Sequence, residues 1–148
     1  MIPFIVMLLV MLVCRGLGAL GLSVFATWQQ ATVAALAVMF LVTATSHFAP
    51  MKEDLIKMVP RGLPYPRQIV FVTGVLEILG ALGLLLPATR VAAAYCLIAL
   101  LIALFPANVH AALKQIPLRG KRPTPLWMRL PMQLIWIALL LWIALTIS

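Results

Sequence analysis

The sequence predicts an all-α protein, a polytopic transmembrane helical bundle, and three observations support this fold class. Of the 148 residues, 65% are hydrophobic and only 9% are charged, and the mean hydropathy is +1.16. Soluble domains carry about 25% charged residues, so this composition does not fit a water-soluble globule. The apolar residues gather into long stretches, and most basic residues lie between those stretches. We therefore expect a single transmembrane domain over residues 1–148.

Each of the apolar stretches is long enough to be a transmembrane helix. A helix that crosses a bilayer needs about 20 mostly apolar residues, at 1.5 Å of rise per residue. The predicted spans cover residues 3–25, 29–48, 68–86, 89–113 and 127–147. No basic residue precedes the first stretch and no clean cleavage site follows it, so we expect it to remain in the protein rather than act as a signal peptide.

The basic residues predict the orientation of the chain. With five spans, the loops at about 49–67 and 114–126 lie on the same face of the membrane, and nine of the eleven Lys and Arg residues lie in or beside them. These nine are Lys52, Lys57, Arg61, Arg67, Lys114, Arg119, Lys121, Arg122 and Arg129. Cytoplasmic loops of membrane proteins collect such residues. We therefore expect a cytoplasmic N-terminus and a periplasmic or extracellular C-terminus.

The two basic loops differ in character. Between Pro50 and Pro60, apolar residues alternate with charged ones, which predicts a short helix lying in the cytoplasmic interface. The segment from Pro117 to Pro125 is basic and proline-rich, which indicates an extended loop. The net charge of +8 does not indicate nucleic-acid binding, because no basic patch is interleaved with stacking aromatic residues.

Glu77 is the most informative polar residue, because it lies at the centre of the third predicted span. An ionisable side chain there costs about 2.5–3.5 kcal/mol to insert, so it normally faces the bundle interior and has a partner. Gly74 and Ala81 share its helix face at spacings of three and four, and small residues allow a neighbouring helix to come close. Glu77 is thus either a protonatable group in a membrane cavity, and the one candidate catalytic residue, or a carboxyl that holds helices together.

Other polar residues are predicted at a similar depth. Arg15 lies about 18 Å along the first span and Glu77 about 14 Å into the third, so depth permits a pair between them. Further candidates for a ligand site or polar core are Thr43 and His47, which share a helix face, together with Asn108 and Gln133. The sequence leaves two interpretations open, a ligand pocket or a polar seam that fixes helix packing.

Recognisable cofactor and catalytic motifs do not occur in the sequence. There is no Walker loop, no dinucleotide-binding glycine motif and no H-E-x-x-H zinc motif. His47 and His110 stand apart from acidic clusters and thiols, whereas a metal site needs three or four ligands, so no metal site is predicted. An activity of its own is therefore less expected than a non-catalytic role.

Several short motifs together resemble a known family. They are His47-Phe48, Met58-Val59-Pro60, Leu63-Pro64, the segment Thr73 to Ile78, Leu85-Leu86-Pro87, Phe105 to His110, and Leu130 to Gln133. In this order and spacing, over about residues 30 to 145, they resemble the DoxX-like family of small bacterial membrane proteins. The resemblance implies a four-helix membrane core in the bacterial inner membrane, to which this chain adds one N-terminal transmembrane helix. It singles out Glu77, Asn108 and His47 as motif positions without assigning their roles.

The resemblance also implies a function. Some members of the family are linked to quinone oxidoreductases and to redox-stress complexes, so the chain is expected to be an accessory subunit or partner of a membrane redox system, or to form homo-oligomers. One alternative is a carrier or enzyme that binds a small apolar ligand such as a quinone or lipid, with Glu77 as acid or base. Another is a purely structural assembly protein.

Overall fold

The computed structural model describes residues 2–117, 120 and 124–146. In these residues the chain forms the helices α1 (Ile2–Ala19), α2 (Trp28–Phe48), α3 (Lys52–Met58), α4 (Pro66–Leu85), α5 (Arg90–Leu113) and α6 (Leu126–Thr146). All of them except α3 are long and apolar enough to cross a membrane. The all-α class is confirmed, and the long helices indicate a multi-pass membrane protein. Arg119, Lys121, Arg122 and the last residue of the fifth predicted span lie outside the described residues.

The first helix ends earlier than the sequence suggested. α1 ends at Ala19, and Gly21 then adopts a φ of 105°, a left-handed conformation that glycine accepts without steric cost. Ser23–Phe25 form a single 3-10 turn, although the predicted span continues to Phe25. α2 begins after Thr27, whose hydroxyl accepts from the backbone N–H of Gln30 while the Gln30 side chain accepts from the Thr27 N–H. This reciprocal cap fixes the start of α2.

Prolines mark several of the other helix ends. Pro66 is the first residue of α4, a position where the missing N–H costs nothing. α4 ends at Leu85, shortly before Pro87, because proline disfavours a helical conformation in the residue that precedes it. Pro106 and Pro131 lie inside α5 and α6, which membrane-spanning helices tolerate. The short helix predicted between Pro50 and Pro60 is confirmed as α3.

α2 occupies the centre of the arrangement. It packs extensively against α1 on one side and against α4 on the other. α4 continues to α5 and α5 to α6, and α6 makes a smaller contact with α2. Helices α2, α4, α5 and α6 therefore enclose a common core, and α1, which packs mainly against α2, adds the fully buried Met7 to it. Fully buried side chains of this core include Leu36, Met39, Leu84, Leu97 and Leu140.

One end of the bundle is built differently from the other. α3 packs against α2, α4 and α5, and it lies where α2 ends, α4 begins and α5 ends.

The outward faces of the long helices are apolar. In the most apolar stretch of α1 only 11% of residues are buried, compared with 56% for α2. Lipid or a partner protein must cover this surface, because so large an apolar area is unfavourable in water.

Candidate functional site

A glycine brings α2 and α4 into close contact around Glu77. A Cβ atom at Gly74 of α4 would lie 2.5 Å from the Cβ of His47 on α2, a separation that real side chains do not show. Another face of α4 also carries glycines that allow a close approach. Cβ atoms at Gly80 and Gly83 would lie 2.5 Å and 2.8 Å from Leu97 and Ala93 of α5. Small residues at such positions let helix backbones approach each other within a membrane.

Glu77 lies within this contact and is bonded to α2 through both carboxyl oxygens. The hydroxyl of Thr43 lies 2.9 Å from Oε2, and Nε2 of His47 lies 3.5 Å from Oε1. Glu77 is 6% exposed and His47 8% exposed. A buried carboxyl needs such partners, because an ionisable side chain without them is costly inside a membrane.

The contact of the second ring nitrogen of His47 fixes which nitrogen carries a proton when the imidazole is neutral. Nδ1 lies 2.7 Å from the carbonyl oxygen of Val70 on α4, and that oxygen can only accept a hydrogen bond, so Nδ1 carries a proton. The hydroxyl oxygen of Thr73 lies 3.3 Å from the same nitrogen. Nε2 is therefore the ring atom that faces Glu77, either as a second donor or as an acceptor.

The contacts accommodate the proton in two arrangements. In one, an imidazolium donates from Nε2 to the carboxylate of Glu77 and from Nδ1 to Val70, and the Thr43 hydroxyl donates to the other carboxylate oxygen. In the other, the proton lies on Glu77 and His47 is neutral. The two side chains together carry no net charge in either arrangement, which lowers the cost of their burial. The pair can thus hold helices together, and it can also move a proton between two adjacent atoms.

Asn108 and Gln133 belong to a separate set of hydrogen bonds between α5 and α6. Nη1 of Arg129 donates to Oδ1 of Asn108 over 2.8 Å, and Nε of the same side chain donates to the carbonyl of Thr124 over 2.9 Å. Nε2 of Gln133 donates to the carbonyl of Leu101 over 2.9 Å. The bonds to Asn108 and to Leu101 fasten α6 to α5, as the Glu77 contacts fasten α4 to α2.

Arg15 does not pair with Glu77, although depth along the spans permitted it. Its guanidinium carbon lies 5.4 Å from the ring centroid of Trp28, at the beginning of α2. Thr43, which contacts Glu77, lies about 15 residues or some 22 Å further along α2. Nε of Arg15 is buried without a hydrogen-bond partner among the described residues. Similar depth along two spans therefore does not bring these two side chains together.

Two participants in the site were not among the candidate residues. Thr73 precedes Glu77 by one helical turn, so the same periodicity that grouped Gly74, Glu77 and Ala81 could have identified it. Arg129 was considered only as one of the basic residues in or beside the loops, yet it is half-buried in α6 and bonds to Asn108. Across residues 2–117, 120 and 124–146, no group of three or more His, Cys, Asp or Glu side chains could hold a metal ion.

Comparison with known proteins gives a family without a known activity. A family model described as "Domain of unknown function (DUF8561)" matches residues 36–144, from within α2 to the last turn of α6. The matched segment includes the whole Glu77 site and leaves out α1. No curated protein and no solved structure matches this chain.

Proposed function

The chain belongs to the family of the domain of unknown function DUF8561, and we propose that it is a non-catalytic accessory subunit or partner in a membrane redox system. In this proposal the Glu77 site is the clamp that holds α2 and α4 together. The remaining apolar surface of the bundle is available to lipid, to partner subunits or to further copies of the chain.

One observation carries the proposal, namely that the polar atoms of the site are already used within the bundle. Both carboxyl oxygens of Glu77 contact α2, and both ring nitrogens of His47 contact α4. Gly74 brings the two helices so close that a methyl group would not fit beside His47. A binding site would keep some of these atoms for its ligand. The arrangement therefore favours a packing role for Glu77 over catalysis.

The redox part of the proposal depends on the resemblance to the DoxX-like family. A DoxX-like core would be formed by α2, α4, α5 and α6, with α1 as the additional helix outside it. The packing order of the helices supports that division, since α1 packs mainly against α2 and only its Met7 is buried within the shared core. Quinone-linked and oxidative-stress complexes are the partners that this resemblance suggests, and quinone or lipid would then belong to the partner or to the interface.

The orientation belongs to the same proposal. α3, the beginning of α4, the end of α5 and the beginning of α6 carry the basic residues at one end of the bundle, whereas Arg90 lies at the other. By the positive-inside rule, the α3 end faces the cytoplasm of a bacterial inner membrane. The N-terminus is then cytoplasmic and the C-terminus periplasmic.

A second candidate function is supported by the contact between His47 and Glu77. A carboxyl and an imidazole in contact can pass a proton in either direction, which is the chemistry of general acid and base catalysis. In this alternative the chain is a carrier or enzyme for a small apolar molecule, and Glu77 is its acid or base. A third alternative is an assembly protein without a redox partner.

Native mass spectrometry of the protein, gently extracted from its own membrane, distinguishes these functions. The wild type is compared with Glu77→Gln and with Glu53→Gln, which changes an exposed carboxyl in α3 as a matched control. Redox subunits that remain bound in all three proteins support the accessory role, because a glutamine still bridges α2 and α4.

The opposite results are equally informative. A small molecule that is present in the wild type and in Glu53→Gln, but lost in Glu77→Gln, would make Glu77 a ligand-binding residue and overturn the packing role. Purification without any partner from mild detergent would contradict the accessory role and leave the assembly protein.

A further inference from the structure

A wide cleft opens at the end of the bundle where α3 packs. Its volume is about 680 Å³, well within the range of ligand sites, which is about 300–1,000 Å³. It lies between α3 with the segment that follows it, the start of α4 and the end of α5. The lining residues are Ile56, Lys57, Val59, Pro60, Arg61, Leu63, Pro66, His110, Lys114 and Ile116. None of them takes part in the Glu77 site.

The polar side of this cleft is cationic. Lys57, Arg61 and Lys114 line it, and no carboxylate does. Lys57 forms an exposed pair with Asp54 at 3.5 Å, whereas the residues that the structure describes provide no salt bridge for Arg61 or Lys114. Three cationic side chains at one concave surface repel each other, and an anion between them would remove that repulsion.

A partly buried hydrogen bond holds two walls of the cleft together. Nδ1 of His110 on α5 donates to the carbonyl of Met58, the last residue of α3, over 3.0 Å. Met58 and the following Val59 are both buried. The helix positions from which Lys57 and Lys114 extend are thus held by contacts between α3 and α5, so both side chains line one cleft before any anion arrives.

The other side of the cleft is apolar. Ile56, Val59, Leu63 and Ile116 line it, and Leu63 is about half exposed. The cleft also lies at an end of the bundle, where the long helices reach the level of lipid headgroups. A soluble anion would gain little from the apolar lining, whereas a phospholipid would place its phosphate among the cations and the start of its acyl chains against these residues. Basic pockets between membrane helices bind anionic headgroups in this way.

We propose that this cleft binds the phosphate group of an anionic glycerophospholipid, with Lys57, Arg61 and Lys114 as the phosphate-binding residues. The chemistry that is recognised is a phosphate ester, which a soluble molecule could also supply, and the apolar lining is the reason for assigning it to a lipid. This inference does not depend on the redox role or on the Glu77 site.

The test is native mass spectrometry of the delipidated full chain, titrated with three defined probes. The probes are phosphatidylglycerol, phosphatidylcholine with the same acyl chains, and sn-glycerol 3-phosphate as the soluble phosphate ester. Arg61→Gln/Lys114→Gln removes two cations from the cleft. Lys52→Gln/Arg67→Gln removes two cations from the same end of the bundle outside the cleft and serves as the matched control.

We expect phosphatidylglycerol to bind the wild type and the control pair more tightly than phosphatidylcholine does. Each cation near a membrane surface contributes roughly a fivefold gain in affinity, so the cleft pair should bind about thirtyfold more weakly. Equal losses in both pairs would show a general charge effect and overturn the cleft as the site. Competition by sn-glycerol 3-phosphate at the concentration of the lipid would overturn the lipid as the ligand.

The proposal can be tested even if the cleft variant does not fold. The comparison of phosphatidylglycerol with phosphatidylcholine uses the wild type alone, and equal binding of the two lipids there would contradict the inference. Binding of phosphatidylglycerol should also weaken as salt is raised, since exposed charges are screened beyond about 10 Å at 0.1 M ionic strength.

Discussion

His47 and Glu77 face each other across the contact between α2 and α4, with Nε2 of the imidazole 3.5 Å from Oε1 of the carboxyl. Each side chain has a further partner that fixes its position, the Val70 carbonyl for His47 and the Thr43 hydroxyl for Glu77. The pair therefore joins two helices by four polar atoms in a region where water is scarce. Its strength should be measurable by substitutions that keep or remove these atoms.

Two substitutions of Glu77 should separate the contribution of hydrogen bonding to stability from the contribution of charge. Glu77→Gln keeps an oxygen for Thr43 and offers an amide N–H to Nε2 of His47. Its free energy of unfolding should therefore be close to that of the wild type. Glu77→Leu leaves Nε2 of His47 without its partner, while the Thr43 hydroxyl keeps only the Phe40 carbonyl, so it should lower the free energy of unfolding by about 1–3 kcal/mol. The measurement is unfolding in mixed detergent micelles followed by circular dichroism. Equal stability of the two variants would show that the contacts do not hold the helices.

Gly74→Ala should destabilise the α2–α4 contact. Its methyl group would lie 2.5 Å from Cβ of His47, and overpacking of this kind costs about 1–3 kcal/mol. Gly16→Ala in α1 is the matched control, because no atom lies within 4 Å of the added Cβ and alanine is the better helix former. The same unfolding assay applies, and a neutral Gly74→Ala would contradict the close approach of the two helices.

The Asn108–Arg129 hydrogen bond should matter for the pairing of α5 with α6. Asn108→Leu leaves the half-buried guanidinium without its side-chain acceptor and should cost about 1–3 kcal/mol, whereas Asn108→Asp keeps an acceptor for it. Disulfide crosslinking between cysteines introduced into α5 and α6 reports the pairing directly. If crosslinking efficiency is the same in both variants, this bond does not position α6.

Arg15 and Glu77 should behave as independent sites. Arg15 contacts Trp28 at the far end of α2 from Thr43, so the effects of Arg15→Gln and Glu77→Leu on unfolding should add within about 0.3–0.5 kcal/mol. A double-mutant cycle measures the coupling. A coupling energy of 1 kcal/mol or more would place the two side chains in one network after all. His47→Leu with Glu77→Leu gives the positive control, where strong coupling is expected.

The proposed orientation predicts the location of the C-terminus. With the α3 end in the cytoplasm, alkaline phosphatase fused after the last residue should be active and green fluorescent protein at the same position should be dark. Fusions within the loop between α3 and α4 should give the reverse pattern. The combination of a fluorescent C-terminus with active phosphatase in that loop would invert the proposed topology.

Much of the fold was predictable because each span carries its own signal. The long apolar runs predicted the helices, although the end of α1 was placed too late. Helical periodicity also placed Thr43 and His47 on one face of α2, and Gly74 with Glu77 on one face of α4. These are local properties, which depend only on 3.6 residues per turn.

The partner of Glu77 was not predictable in the same way. Arg15 was a reasonable expectation, because an opposite charge at a similar depth is the strongest attraction that a sequence can display. Its helix packs mainly against α2, however, and Arg15 lies near Trp28 at the other end of α2 from Thr43, so the nearby imidazole and a hydroxyl fill that role. The basic cleft was not predictable from the sequence either, since its lining comes from α3, α4 and α5 together.

The sequence by itself determined the helices, their apolar character and the faces on which the polar residues lie, because these follow from local spacing and from the cost of exposing apolar side chains to water. Only the tertiary structure decided which faces meet. That choice depends on the small differences between alternative packings of similar apolar helices, and here the missing side chain of Gly74 brings His47 to Glu77.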